Sequence, residues 1–155
     1  MTDNQDNPGI NLPLPLIYVV PLVLGLLLGR RAPLPFLPHG AARGLGWLLL
    51  GAGVVLNGWF LKTMRDAEVP IRTDKPVPRL TTTGPFRYTR NPGYLALAAI
   101  YSGIAFLRSS LWAMLLLPLV LTVIQREVIG REERYLERTF GEEYLDYKGK
   151  VRRWI

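Results

Sequence analysis

The chain has 155 residues, no cysteine, and a formal net charge of +7 from 19 Lys and Arg against 12 Asp and Glu. This length predicts a single domain over residues 1–155, and the lack of cysteine excludes disulfides, thiolate metal sites and cysteine nucleophiles within it. The apolar residues gather in four blocks, at residues 12–29, 44–61, 93–107 and 111–129, and the first two are 18 residues long without a charge. That length is about the minimum for crossing a hydrocarbon core of roughly 30 Å. We therefore predict an all-α membrane protein with about four transmembrane helices; buried helices of a soluble domain are the alternative.

The first block is expected to be a retained span. The opening "MTDNQDNPGI" carries two acids and no Lys or Arg, unlike the basic start of a secretory signal peptide. The segment "RRAPLPFLPHG" that follows the block is a connector, because its three prolines cannot continue a helix. His39 lies there without a second His or any Cys. We interpret it as a surface loop residue and predict no metal site.

The second block, "GLGWLLLGAGVVLNGWFL", is rich in glycine. A dinucleotide fingerprint would need a strand before it and a helix after it, and neither pattern is present. Gly46, Gly53 and Asn57 instead fall on one helical face, which suits close packing inside a helix bundle. The polar stretch 62–92 is long for a loop without structure of its own, and we predict that it forms a cap or pocket wall.

The third and fourth blocks are joined only by residues 107–111, which predicts a helical hairpin. The fourth helix should run on through Gln125, Arg126 and Glu127 into a polar region. The hairpin places loop 62–91 and the tail after Gly130 on one face, and each holds seven Lys or Arg. The positive-inside bias makes that face cytoplasmic, in the inner (plasma) membrane. A membrane-apposed surface accounts for the basic charge, so we predict no nucleic-acid partner.

The tail begins with a predicted amphipathic helix that ends at Phe140, before Gly141. Ile129, Glu133, Leu136 and Phe140 share one face, and Glu132 lies beside them. A short amphipathic turn with Tyr144, Leu145 and Lys148 at helical spacing comes next. Residues 151–155 mix two arginines with a tryptophan, which is typical of an interfacial segment or of a structural anchor.

The stretch "GPFRYTRNPGY", from Gly84 to Tyr94, should therefore meet the acidic pair Glu132 and Glu133 at one membrane face. Aromatic rings stack on a purine, a carboxylate accepts hydrogen bonds from ribose hydroxyls, and amides at a helix N-terminus bind a carboxylate. These groups match S-adenosylmethionine, although many other ligands share its chemistry.

The same stretch resembles the Gly-Pro-Tyr/Phe-Arg-Tyr-x-Arg-His/Asn-Pro-x-Tyr motif, and "EERYLERTFGEEYLDYKGKVRRW" resembles the Glu-Glu-x-x-Leu-x-x-x-Phe-Gly-x-x-Tyr-x-x-Tyr motif. Both motifs belong to the isoprenylcysteine carboxyl methyltransferase and phospholipid methyltransferase superfamily of membrane enzymes. The resemblance covers residues 79–154 and implies S-adenosylmethionine-dependent methyl transfer, in a pocket that is roofed by the loop and tail and opens to lipid. The cofactor contacts that it implies are Pro78, Arg79, Leu80, Thr81, Phe86, Asn91, Pro92, Gly93, Tyr94 and Glu132.

Three positions depart from the family pattern. Phe86 stands where the eukaryotic carboxyl methyltransferases have Tyr. Asn91 stands where many members have His, and an amide cannot act as a base near neutral pH. Val128 stands where the eukaryotic carboxyl methyltransferases have an arginine that contacts the substrate carboxylate, so Arg126 and Arg131 are the remaining candidates for substrate contacts. The acceptor is expected to be lipophilic or membrane-embedded, with a carboxylate, amine or thiol as the methylated group.

Glu133 is a candidate general base, because an apolar surrounding would raise the pKa of its carboxyl. An ion pair with Arg79, Arg87 or Arg90 is the structural alternative. A non-catalytic membrane scaffold or a transport-related protein is the alternative function, although transport would predict ionisable residues inside the spans.

Overall fold

The computed structural model describes residues 14–34, 36–70 and 76–155. Within these ranges the chain forms α1 (Leu14–Arg31), α2 (His39–Asp66), α3 (Pro92–Leu107), α4 (Leu111–Val123), α5 (Gly130–Phe140) and α6 (Glu142–Lys150), with a 3-10 turn at Gly84–Arg87 and a π-helical turn at Ile124–Ile129. No strand occurs in the described ranges, which confirms the all-α prediction. The opening ten residues, the first two residues of the first block, Pro35 and loop residues 71–75 lie outside the described residues.

Helix α2 is longer than the apolar block that predicts it. It begins at His39, five residues earlier, so the prediction of a loop at His39 was wrong. It also ends at Asp66, so the loop begins at residue 67 and not at Lys62. Helix α2 extends beyond the block because polar residues can continue a helix where their side chains are exposed to solvent. Lys62 and Asp66, for example, form an exposed pair at i, i+4.

Among the described residues, two helical rods are long and apolar enough to cross a membrane: α2, with 28 residues, and the continuous rod from Leu111 to Phe140, with 30 residues. Helix α3 is apolar but shorter, with 16 residues. A helix of 30 residues is about 45 Å long, whereas the hydrocarbon core is roughly 30 Å thick. The polar part of the rod, helix α5, therefore extends beyond the apolar part, as the sequence predicts.

Helices α2 and α3 pack closely because glycines face each other across their contact. A Cβ atom on Gly46 would lie 2.7 Å from Leu107, and one on Gly53 would lie 2.8 Å from the backbone nitrogen of Ile100. From the other side, a Cβ atom on Gly103 would lie 2.6 Å from the backbone nitrogen of Leu50. The predicted packing role of Gly46 and Gly53 is confirmed.

Replacement of Gly103 by alanine should destabilise this contact by about 1–3 kcal/mol, because the new methyl group meets backbone atoms that cannot move separately. Gly51 lies on the exposed side of α2, and a Cβ atom added there would have no neighbour within 4 Å. Gly51→Ala is the matched control and should be neutral or stabilising by up to about 1 kcal/mol. Thermal unfolding of both variants in detergent, followed by circular dichroism, measures the difference. Equal midpoints for the two variants would contradict the assigned packing.

Helices α1 and α4 form the other extensive contact, which Ser110 organises. Its hydroxyl donates to the carbonyl of Gly25 at 2.9 Å and accepts from the amide of Ala113 at 3.3 Å, where α4 begins. The hydroxyl of Tyr18 donates to the carbonyl of Tyr94 at 3.1 Å. Helix α1 is thereby bonded to the beginning of α3 as well as to α4.

The π-helical turn lies between α4 and α5 in one continuous rod. A π turn contains one residue more than an α-helical turn, so it rotates the following helix by about one residue, or roughly 100°. Val128 and Ile129 are both fully buried at this turn. The turn therefore sets the direction in which Glu132 and Glu133 point from α5.

Candidate active site

Tyr94 and Glu132 are the residues at which the two sequence motifs meet. Tyr94 is in the first turn of α3 and Glu132 is in the first turn of α5. The Tyr94 hydroxyl donates to Oε1 of Glu132 at 2.9 Å, across 38 residues of sequence. The structure thus brings together the aromatic residue and the carboxylate that the sequence places on one face.

The Glu132 carboxyl lies in α5, beyond the apolar part of its rod. Burial raises its pKa to about 7, the negative charge of Glu133 also raises it, and the hydrogen bond from Tyr94 opposes the rise. A carboxyl group with this pKa changes charge near neutral pH. Its affinity for hydroxyl donors or for cations should therefore increase as the pH rises through 7.

Stability should depend on pH through the same group. The folded chain retains the Glu132 proton up to about pH 7, whereas an unfolded chain releases it near 4.5. The folded state is therefore favoured most below pH 4.5, and this contribution is lost progressively as the pH rises from there through 7. Thermal midpoints of the wild-type chain and of Glu132→Gln between pH 5 and 8 test the sign. The wild-type midpoint should fall relative to that of the variant, and parallel curves would contradict the raised pKa.

Glu133 is buried and bridges two arginines. Its Oε1 lies 3.3 Å from Nη2 of Arg90 and accepts from Nε of Arg153 at 3.0 Å, and its Oε2 accepts from Nη2 of Arg153 at 2.5 Å. The ion pair with Arg90 is the structural alternative that the sequence left open. Arg79 and Arg87 do not pair with Glu133, since Arg79 donates to the carbonyl of Ala67 at 2.6 Å and Arg87 is exposed. This geometry favours a structural role for Glu133 over proton transfer.

The C-terminal segment 151–155, which we call the strap, is bound along the residues that precede α3. The carbonyl of Arg153 accepts from Nδ2 of Asn91 at 2.9 Å and from the hydroxyl of Thr89 at 3.1 Å, and the carbonyl of Arg152 accepts from the amide of Arg90 at 3.0 Å. Nε1 of Trp154 donates to Gln125 at 3.3 Å. The strap is thus a structural anchor, and the side-chain amide nitrogen of Asn91 is engaged with it.

The segment 76–83 approaches α5 from another side. The amide of Val77 donates to the hydroxyl of Tyr135 at 3.1 Å, one helical turn beyond Glu132. Among the residues predicted to contact the cofactor, Pro78 and Arg79 are exposed, whereas Leu80 and Thr81 are half-buried. The hydroxyl of Thr81 is buried without a hydrogen-bond partner. It is therefore available to a ligand that reaches this segment.

Phe86 and Gly93 lie against Phe60 of α2, and Pro92 directly precedes Gly93 in the chain. The rings of Phe60 and Phe86 are 5.9 Å apart and tilted by 54°, and a Cβ atom on Gly93 would lie 3.1 Å from the Phe60 ring. Pro92 is fully buried as the first residue of α3. Phe60 thus contributes an aromatic face that sequence reasoning did not identify, because it lies within an apolar block.

Arg126 and Arg131, the predicted substrate contacts, are both exposed. Arg131 pairs with Glu127 at 3.0 Å on the outer side of the rod. The structure does not join either arginine to the contact between Tyr94 and Glu132.

Sequence reasoning also missed the roles of α6 and Arg153. Tyr144 and Tyr147 are the buried residues of α6, whereas Leu145, which was assigned to the same stripe as Tyr144, is 47% exposed. Tyr147 donates to the carbonyl of Phe86 at 2.8 Å. The spacing of the two tyrosines at i, i+3 was the available signal for the buried face.

Comparisons with known proteins bear on this part of the chain. The sequence profile of a family described as "Phospholipid methyltransferase" matches residues 41–143. A protein of Haemophilus influenzae described as "Uncharacterized protein" is 61% identical over 33 residues, which are 21% of this chain and 52% of that relative. The chain thus covers about half the length of that relative. No solved structure matches the chain. The family match includes Tyr94 and Glu132 and ends before the strap.

Proposed function

Because the chain belongs to the phospholipid methyltransferase family, within the isoprenylcysteine carboxyl methyltransferase-like superfamily, we propose that it transfers a methyl group from S-adenosylmethionine to a lipophilic acceptor. The main observation in support of this proposal is the hydrogen bond between Tyr94 and Glu132, because it joins the two family motifs in space. When bound, the cofactor would supply a methyl group on a sulfonium, and the neutral thioether released as the methyl–sulfur bond breaks is a good leaving group.

The residues around Glu132 fit such a cofactor in chemical type. Glu132 offers carboxylate oxygens to hydroxyl donors, and its negative charge suits a cation. Phe60 and Phe86 present aromatic faces for a purine, and the free hydroxyl of Thr81 can donate or accept. Of the three residues that depart from the family pattern, Asn91 and Val128 lie outside this set, and Phe86 keeps the aromatic face that a tyrosine would offer.

The chain's own contribution to the reaction is chiefly to position the reactants. Alignment of two bound reactants can contribute about 7 to 11 kcal/mol to lowering a barrier in favourable cases. A carboxylate or thiolate acceptor needs no base, whereas an ammonium must first lose a proton. We assign Glu133 to structure because both of its oxygens are engaged with arginines.

Position 128 bears on the class of acceptor. Val128 is fully buried and uncharged, so no cation is available there for a substrate carboxylate. This favours a lipid amine, a thiol or another small lipophilic acceptor over a prenylcysteine carboxylate.

The proposed topology has four spans, formed by α1 to α4 in the inner membrane, with segments 67–70 and 76–91, α5 and α6 on the cytoplasmic face. The two span-length rods and the surplus of Lys and Arg on this face support it. The proposed partners are the lipid bilayer and a membrane-embedded acceptor.

Titration calorimetry of the purified chain in detergent with S-adenosylmethionine and S-adenosylhomocysteine tests the proposal. We expect saturable binding of both ligands and no binding of free methionine. Membranes that contain the chain, incubated with methyl-labelled cofactor and then separated into lipids, thioethers and proteins, should reveal the acceptor class. No binding at millimolar ligand would overturn the enzyme proposal and favour a scaffold.

A further inference from the structure

Arg90 is a buried guanidinium whose hydrogen bonds are incomplete. Its side chain is 10% exposed, and Nη2 lies 3.3 Å from Oε1 of Glu133. Nε and Nη1 are buried and have no hydrogen-bond partner. Buried donors in folded proteins are nearly always bonded, so two free nitrogens on one side chain require an explanation.

The cluster around Arg90 also has an excess of positive charge. Two guanidiniums, Arg90 and Arg153, share the single carboxylate of Glu133. The hydroxyls of Tyr144 and Tyr147 are also close to Arg90, and the Tyr147 hydroxyl donates to the carbonyl of Phe86. The charge of Glu137 also acts on Tyr144, but Glu137 is paired with Lys148. An anion would supply both the missing charge and the missing acceptors. The guanidinium group is well suited to carboxylates and phosphates in particular.

The position of Arg90 in the fold indicates which anion would bind to its free nitrogens. Arg90 lies two residues before Pro92, where α3 begins with its unpaired backbone amides and the positive end of its dipole. Glu133, which holds Arg90, directly follows Glu132 in α5. Arg90 thus connects the residues just before α3, whose first turn carries Tyr94, to the first turn of α5, which carries Glu132.

We propose that Nε and Nη1 of Arg90 bind the carboxylate at the amino-acid end of the methyl donor. Glu133 is a positioning residue that holds the guanidinium, and Arg153 holds Glu133 from the strap. This inference rests on the proposed function. It adds a carboxylate subsite that neither the family match nor the cofactor contacts implied by the resemblance assign to Arg90.

A pair of ligands separates a binding role of Arg90 from a purely structural one. The first ligand is S-adenosylhomocysteine, and the second is its decarboxylated analogue, which keeps the adenosine, the thioether and the amine. Calorimetric titration of Arg90→Gln should show affinity for S-adenosylhomocysteine reduced by about 10- to 100-fold, with affinity for the analogue changed by less than about threefold. Arg90→Lys should show a smaller loss with the same selectivity, because lysine keeps the charge but not the planar fork.

Arg87→Gln is the matched control, since Arg87 is an exposed arginine in the same stretch, and it should bind both ligands as the wild-type chain does. Thermal unfolding in detergent checks each variant, and Arg90→Lys keeps the test valid if Arg90→Gln does not fold. Equal losses for both ligands would overturn the inference in favour of a structural role. Unchanged binding of S-adenosylhomocysteine would also overturn it, since the carboxylate would then bind elsewhere, for example to the amides of α3. Failure of the wild-type chain to bind either ligand would overturn the proposed function itself.

Discussion

Glu133→Ala should lower the free energy of unfolding by about 3–5 kcal/mol, because it leaves two guanidiniums without their shared carboxylate in a buried cluster. Arg90 would then have no ion-pair partner at all, since Glu133 is its only acidic neighbour within ion-pair distance among the described residues. The strap would lose the side-chain contact that Arg153 makes with α5. Thermal or denaturant unfolding in detergent, followed by far-ultraviolet circular dichroism, measures the loss.

Asp146→Ala is the control for this variant. Asp146 pairs with Lys150 one helical turn away in α6, and both side chains are exposed. Exposed pairs of this kind contribute less than about 1 kcal/mol, so the control should unfold near the wild-type midpoint. If Glu133→Ala lost no more stability than Asp146→Ala, the bridged cluster would not hold the strap in place.

Glu132→Ala should abolish measurable binding of S-adenosylhomocysteine, which corresponds to a loss of at least about 100-fold. The substitution removes the carboxylate that is proposed to accept from the ribose hydroxyls, and it leaves the Tyr94 hydroxyl without its acceptor. The fold should survive, because Ala is the strongest helix former and Glu132 takes no part in the cluster of Arg90, Glu133 and Arg153. Calorimetry with the variant in detergent measures the affinity.

Glu127→Ala is the matched control for Glu132→Ala. Glu127 is an acid on the same rod, but it is exposed and pairs with Arg131 on the outer side. Its removal should leave the affinity within about twofold of wild type, in line with the small energy of an exposed pair. Retained affinity in Glu132→Ala would show that the cofactor site lies elsewhere on the chain.

The sequence predicts the ends of a helix well where a proline or a glycine marks them. Helix α3 begins at Pro92 and ends at Leu107, within one residue of its apolar block, because proline is favoured in the first turn and a short polar link follows. Gly141 ends α5 with φ of 51°, a value that favours glycine. The beginning of α2 at His39 was missed because hydropathy identifies the apolar part of a helix. It does not identify the residue at which the backbone hydrogen bonds of the helix begin.

The candidate site was predicted in part. The approach of Tyr94 to Glu132 follows from the hairpin, which returns the chain to the face where it started. The contacts of Arg153 do not follow from any local pattern, because its carbonyl and side chain bind residues up to 64 positions away. Asn91 was assigned to the cofactor by the resemblance, and its position in the motif gives no sign that the strap engages its amide nitrogen.

The π-helical turn at Ile124–Ile129 makes the number of residues between the two motifs functionally important. A π turn is equivalent to an α-helix with one residue inserted. Deletion of a single residue there would leave an apolar rod of nearly the same length, still long enough to span a bilayer. The acids after the deletion would nevertheless turn away from Tyr94 and Arg90 together. The chain should therefore tolerate substitutions at the exposed positions of this turn, such as Arg126 and Glu127, and yet be sensitive to the loss of any one of its residues.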